Sequence, residues 1–139
     1  MNRMQSLYHV AIAVKNIEEA ESLYKEALGL EVTHREVVPE QGVRASMLET
    51  EGGGTAIELL EPLGEESPIS KFLEKRGEGI HHICFYVEDI EEALRRLKEK
   101  GVRLIDETPR KGAHSTKVAF IHPKAMGGVL VELAQRVEE

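Results

Sequence analysis

Residues 7 to 14, LYHVAIAV, alternate with a two-residue period: Tyr8, Val10, Ile12 and Val14 fall on one side, His9, Ala11 and Ala13 on the other. That pattern predicts a strand. The period then changes to that of a helix, with Ile17, Ala20, Leu23, Tyr24, Ala27 and Leu28 as an apolar stripe between a capping Asn16 and a terminating Gly29. Glu19, three residues after Asn16, completes an approximate capping box. Short strands follow at about 31–38, 43–50 and 55–61, and EGGGT (51–55) reads as the hairpin turn between the last two.

From residue 79 the same grammar returns. Setting His9 against His82, an offset of 73, aligns Val14 with Val87, Ile17 with Ile90, and Glu18-Glu19-Ala20 with Glu91-Glu92-Ala93. TAIELL (55–60) matches VLVELA (129–134), with Glu58 against Glu132 at an offset of 74. The repeat occurs twice and is too long for a solenoid unit, so it reads as a duplicated half-domain. In the second copy 80–87 is a strand, Asp89 caps a helix ending near Gly101, and strands are expected at about 102–106, 116–121 and 129–135. Between the copies, ESPISKFLEKRG reads as a helix with Ser67 as cap, Pro68 in the first turn, and Ile69, Phe72 and Leu73 facing inward. The expected class is α+β. One domain, 1–139, holds a βαβββ module at 1–64, a linker helix at 65–78 and a second βαβββ module at 79–139.

Composition narrows the function. A chain of 139 residues with 41% hydrophobic and 31% charged residues can bury a core and is not disordered. A net charge of −7 argues against a nucleic-acid or anionic-membrane partner. No apolar run approaches membrane-spanning length, and MNRMQSLYHV lacks a signal-peptide core. The lone cysteine, Cys84, excludes an intrachain disulfide and suits a cytoplasmic setting.

Strand parity separates the adjacent histidines of GIHHICFYV. His81 shares a face with Ile83, Phe85 and Val87, the bulky side expected beneath the helix, whereas His82 shares the other with Cys84 and Tyr86. By the same count Glu58 lies opposite Ile57 and Leu59, and Glu132 opposite Val131 and Leu133. A carboxylate inside an apolar strand is costly to bury unless it is paired or metal-bound. One strand histidine is more often structural than a ligand. A matched set of His9, Glu58, His82 and Glu132 in both copies is harder to assign to independent surface residues. Two imidazoles and two carboxylates suit a divalent transition metal such as cobalt, manganese, nickel or zinc. His122 in FIHPK reads as a turn or strand-end residue, His34 as a surface one, and Cys84 as a small apolar filler.

The duplicated pattern with its His/Glu/His/Glu set resembles the vicinal oxygen chelate (glyoxalase) superfamily. Within it, PEQGV, IELLEPLGEESPISKFLEKRGEGIHHI, FIHPK and GVLVELAQ are similar to segments of methylmalonyl-CoA epimerases. The resemblance implies a curved mixed sheet around a metal-binding cleft, a homodimer, and His9, Glu58, His82 and Glu132 as ligands of one divalent metal, cobalt ahead of manganese, nickel or zinc. It also implies Gln41, Ser115 and Lys117 as substrate-binding residues and an acyl-CoA substrate. The implied reaction interconverts (R)- and (S)-methylmalonyl-CoA by proton transfer at C2 through a metal-stabilised enediolate, with Glu132 as one acid/base group. Many such epimerases carry a glutamate three residues past the glycine of QGV, and this chain has Ala45 there. Glu40, Glu49, His114 or a metal-bound water stand as replacements. Two other readings use the same fold: a glyoxalase I-type lactoylglutathione lyase, and a non-catalytic ligand-binding protein.

Overall fold

Each helix starts at a side chain that takes over backbone donors left unsatisfied by the first turn. In the computed structural model, which describes residues 3–137, Asn16 accepts the Glu19 N–H at 2.9 Å and opens α1 (Ile17–Leu28). Ser67 accepts the Ile69 N–H, and Pro68, which has no N–H to lose, begins α2 (Pro68–Arg76). Asp89 accepts the Glu92 N–H at 3.1 Å and opens α3 (Ile90–Glu99). Gly29 ends α1 in the left-handed region at φ 70°, where a side chain would be strained.

Among the described residues eight strands accompany them: β1 (Ser6–Ala13), β2 (Glu31–Val38), β3 (Val43–Glu49), β4 (Ala56–Pro62), β5 (Gly79–Tyr86), β6 (Arg110–Lys111), β7 (Thr116–Ile121) and β8 (Val131–Arg136). The chain divides into two compact units, residues 9–81 and residues 3–8 with 82–137. In the first unit the strand order is β2-β3-β4-β1, with β1 and β4 parallel and the other pairs antiparallel. The second repeats it as β5-β8-β7-β6, with β5 and β8 parallel. The tandem α+β organisation is the expected one.

Both units bury one sheet face under a helix. Val14, Ile17, Leu30, Leu48 and Leu59 form the first core. In the second, Ile90, Ala93 and Leu94 of α3 pack on Ala119, Ile121, Val131 and Leu133, with Ile83 and Phe85 beside them. The second unit also takes in the start of the chain. Gln5 N–H donates to Tyr86 O at 2.9 Å, Met4 packs on the α3 core, and the Tyr8 ring stacks on Tyr86 with centroids 4.2 Å apart.

Two expectations fail for identifiable reasons. The apolar stripe of α1 is only half used: Leu23 and Leu28 are 64% and 65% exposed, while Glu21 is buried. Glu21 earns its place through partners, accepting from Arg35 Nε at 2.8 Å, Arg35 Nη2 at 3.0 Å and Ser46 Oγ at 2.5 Å. The strand expected at 102–106 is reduced to one bridge, Leu104 to Ile121. There the Asp106 carboxylate accepts the Phe120 N–H, and the Ile105 and Asp106 N–H groups both converge on Phe120 O, so a side chain displaces the ladder.

The Arg35 guanidinium, helped by the Ser46 hydroxyl, holds the Glu21 carboxyl below its ordinary 4.5 against the opposing effect of burial. A depressed folded-state value gives stabilisation that is present above the unfolded value and lost as pH falls through the folded one. Glu21→Gln should cost about 1–2 kcal/mol at pH 7 and flatten the loss of stability below about pH 4.5. Urea titrations at pH 7 and pH 3 measure both; parallel acid limbs in the two proteins would remove Glu21 as their source.

Candidate metal centre

Glu58 sits between Ile57 and Leu59, which both pack in the α1 core, so alternation sends its carboxylate through the opposite face. Parallel pairing sets Ala11 of β1 opposite Glu58. His9, two residues earlier on the same face, therefore reaches it, with His9 Nε2 lying 3.1 Å from Glu58 Oε1. The second unit repeats the arrangement. Cys84 is opposite Glu132, and His82, two residues before Cys84, brings Nε2 to 2.9 Å from Glu132 Oε1. His9, Glu58, His82 and Glu132 are all buried, at 3%, 5%, 4% and 4% exposure. The Phe120 ring stands edge-on to His82 with centroids 5.3 Å apart.

The surroundings are duplicated as well. Val14 N–H donates to Leu60 O and Val87 N–H to Ala134 O, both at 2.9 Å. Glu61 accepts the Ile17 N–H and Gln135 accepts the Ile90 N–H, again both at 2.9 Å. Each glutamate-bearing strand thus caps the helix that follows the histidine-bearing strand, three residues beyond the glutamate. Sequence reading did not single out Glu61 and Gln135, although they share the 74-residue offset of Glu58 and Glu132.

Each donor pair fits a metal. With metal–ligand bonds of about 2.1 Å, neighbouring donors of an octahedral ion lie about 3.0 Å apart. The two Nε2–Oε1 distances, 3.1 and 2.9 Å, match such an edge. In each unit an imidazole nitrogen beside a carboxylate oxygen suits a transition metal better than calcium or magnesium.

The other expected residues are less uniform. Ser115 and its neighbour His114 have φ of 54° and 57°, an uncommon left-handed pair in the turn between β6 and β7. Gly112 makes that turn possible, since a Cβ there would stand 2.5 Å from Val118 Cγ1 and 2.7 Å from Thr116 Oγ1. Lys117 leaves on the other face: it follows the parity of Ala119 and Ile121 and meets Glu91 of α3 at 2.8 Å. Gln41 ends a single 3-10 turn, Pro39–Gln41, between β2 and β3. Cys84 is fully buried with Tyr86, Val118 and Ala134. His122 is a turn residue, its Nδ1 accepting the Lys124 N–H. His34 is partly buried rather than simply at the surface.

Residues 8–120 match the Glyoxalase/Bleomycin resistance protein/Dioxygenase superfamily. An ethylmalonyl-CoA/methylmalonyl-CoA epimerase of Cereibacter sphaeroides is 50% identical over 131 residues, 93% of this chain and 96% of that protein. The crystal structure of methylmalonyl-CoA epimerase from Mycobacterium tuberculosis, 40% identical, superposes with a TM-score of 0.95 over 99% of this chain and 92% of that one. The chain belongs to the methylmalonyl-CoA epimerase family of that superfamily. Another family member, solved in complex with methylmalonyl-CoA and NH4+, is 38% identical, with a TM-score of 0.91 over 97% of this chain and 96% of that one. The tandem βαβββ plan read from the repeat is thus the fold of these epimerases.

Proposed function

We propose that the protein is a metal-dependent epimerase that interconverts (R)- and (S)-methylmalonyl-CoA. The observation that carries this reading is the duplicated buried histidine–glutamate pair, and family membership supports the substrate. His9 and His82 would hold the ion through Nε2, Glu58 and Glu132 through carboxylate oxygens. When bound, a divalent ion supplies positive charge against the negative charge that develops on the substrate's oxygens once the C2 proton leaves. The burial of all four residues keeps competing water away.

Glu132 is the proposed acid/base group of one C2 face. Its strand has apolar neighbours, Val131 and Leu133 beneath α3, so the carboxylate has one direction in which to work. Gln41 and Ser115 are proposed substrate contacts, Ser115 standing in a turn with left-handed backbone. Lys117 is proposed as a further contact, its Nζ lying 2.8 Å from Glu91 in this structure. Cobalt is proposed as the resident ion, ahead of manganese, nickel or zinc, and the cytoplasm as the compartment. Among the described residues no helix is long and apolar enough to cross a membrane.

Metal analysis by inductively coupled plasma mass spectrometry after cobalt loading should find one ion per chain. His9→Ala and His82→Ala should each weaken binding by at least tenfold, and unchanged occupancy in both would remove the ligand assignment. Deuterium washout at C2, followed by mass spectrometry on each stereoisomer, tests Glu132. Metal-replete Glu132→Gln should lose washout from one stereoisomer by about 100-fold or more, since an amide is a far poorer base. Wild-type washout from both stereoisomers in that variant would exclude Glu132 as a base. A homodimer is also proposed, the exposed Leu23 and Leu28 of α1 offering apolar surface to cover. Light scattering at micromolar concentration should give twice the 15.5 kDa chain mass, and a monomer alone would refute it.

A further inference from the structure

Epimerisation removes a proton from one face of C2 and returns one to the other, so it takes two acid/base groups. Glu132 accounts for one. The unit of residues 9–81 presents a carboxylate for the second, through a feature that alternation alone conceals. The register of β2 on β3 passes from Val32 opposite Leu48 to His34 opposite Met47, leaving Thr33 as the extra residue of a β-bulge, its hydroxyl 3.4 Å from Met47 O. The extra residue turns the strand over. Val32 packs in the α1 core with Leu48 and Leu59, whereas His34 and Glu36 stand opposite Met47 and Ala45.

That is the face of Glu58. Met47 is opposite Glu58 and Ala45 opposite Leu60, so one cross-strand row runs His34, Met47, Glu58 and the next runs Glu36, Ala45, Leu60. Met47 and Ala45 are each 5% exposed. The His34 and Glu36 side chains keep 36% and 29% exposure, with Nε2 2.8 Å from Oε1. Directly opposed residues hold their Cβ atoms about 5 Å apart, and Ala45 ends at its Cβ. Nothing at position 45 therefore competes with a carboxylate reaching over from 36.

The opposite side of the sheet locks this arrangement. Arg35 is paired across the strands with Ser46, and both bond Glu21 of α1. The residues on either side of Arg35 are His34 and Glu36, so the Glu21 clamp holds β2 on β3 at the register that presents them on the face of Glu58, two strands away.

We propose that Glu36, oriented by His34, is the second acid/base group of the epimerisation, serving the C2 face opposite to that of Glu132. The proposal rests on the epimerase reading above. In one direction the C2–H bond breaks as the proton passes to the Glu36 carboxylate, its electron pair staying with the substrate, and protonated Glu132 delivers a proton to the other face. In the reverse direction the two carboxyls exchange roles. His34 is a positioning residue, its Nε2–H donated to Glu36 Oε1.

The test is C2 washout in deuterated water with the metal-replete full chain, each stereoisomer of methylmalonyl-CoA taken separately. Glu36→Gln should lose washout from one stereoisomer by about 100-fold or more, at unchanged metal content, and that stereoisomer should be the one that Glu132→Gln leaves active. Adding Ala45→Glu to Glu36→Gln should restore the lost exchange by supplying a carboxylate from the opposed position. His34→Gln, which keeps a donor, should retain epimerase activity that His34→Leu loses. Glu49, which ends β3 with the parity of Met47, is the comparison: Glu49→Gln should exchange both stereoisomers as wild type does. Wild-type exchange of both stereoisomers by Glu36→Gln, equal loss of both, or a selective loss in Glu49→Gln instead would overturn the proposal. If Glu36→Gln and Glu36→Ala both fail to fold, Glu36 is structural and the proposal falls. A wild-type enzyme that exchanges neither stereoisomer would refute the epimerase reading itself, a result distinct from wild-type exchange that survives loss of Glu36.

Discussion

A buried carboxylate needs a partner from a neighbouring element, and much of this fold follows from that need. Glu21, Glu58 and Glu132 are 7%, 5% and 4% exposed, and each is answered by residues on other elements. His9 answers Glu58, His82 answers Glu132, and Arg35 with Ser46 answers Glu21. These pairs specify register more sharply than apolar packing does. A slip of one residue between β1 and β4 would move Glu58 into the α1 core and bring Leu59 to the face of His9. Removing one partner leaves the other buried without compensation, which is why such pairs are costly to break singly.

Much of this was legible before any coordinate. The alternation of LYHVAIAV and GIHHICFY and the apolar positions flanking Glu58 and Glu132 were enough to assign faces, because both strands are regular where the four residues lie. The capping residues Asn16, Ser67 and Asp89 could be read because caps are local chemistry. What could not be read was whatever depends on a distant partner. Glu21 is a polar position of the α1 pattern, and nothing local to it names Arg35 and Ser46 as its partners. The segment 102–106 has a strand's composition, but Asp106 spends its carboxylate on the Phe120 amide. His34 and Glu36 were obscured in another way. Parity counted from Val32 puts them beneath the helix, and only the bulge at Thr33 reverses it.

The two units also show how differently the same fold can hold its far strands. In the first, β2 is eight residues long, and the Glu21 clamp secures it to β3. In the second, β6 has only two residues, and the turn that follows adopts strained left-handed backbone at His114 and Ser115. One copy has kept a long, fixed edge, and the other has turned its edge into a tight loop. Two copies of one plan thus end differently, one in a long paired strand and the other in a tight turn.

The first residues of the chain pack with the second repeat rather than with the first. Met4 and Gln5 lie ahead of β1 and Tyr8 lies within it, yet they pack against the α3 core, the backbone of Tyr86 and the Tyr86 ring of the second repeat. Arg136 adds its guanidinium to the same ring, its Cζ 3.9 Å from the centroid. A cut at the repeat boundary would therefore separate Tyr86 from the residues that cover its ring. The boundary at which the sequence repeats and the boundary at which the chain packs into units fall at different residues.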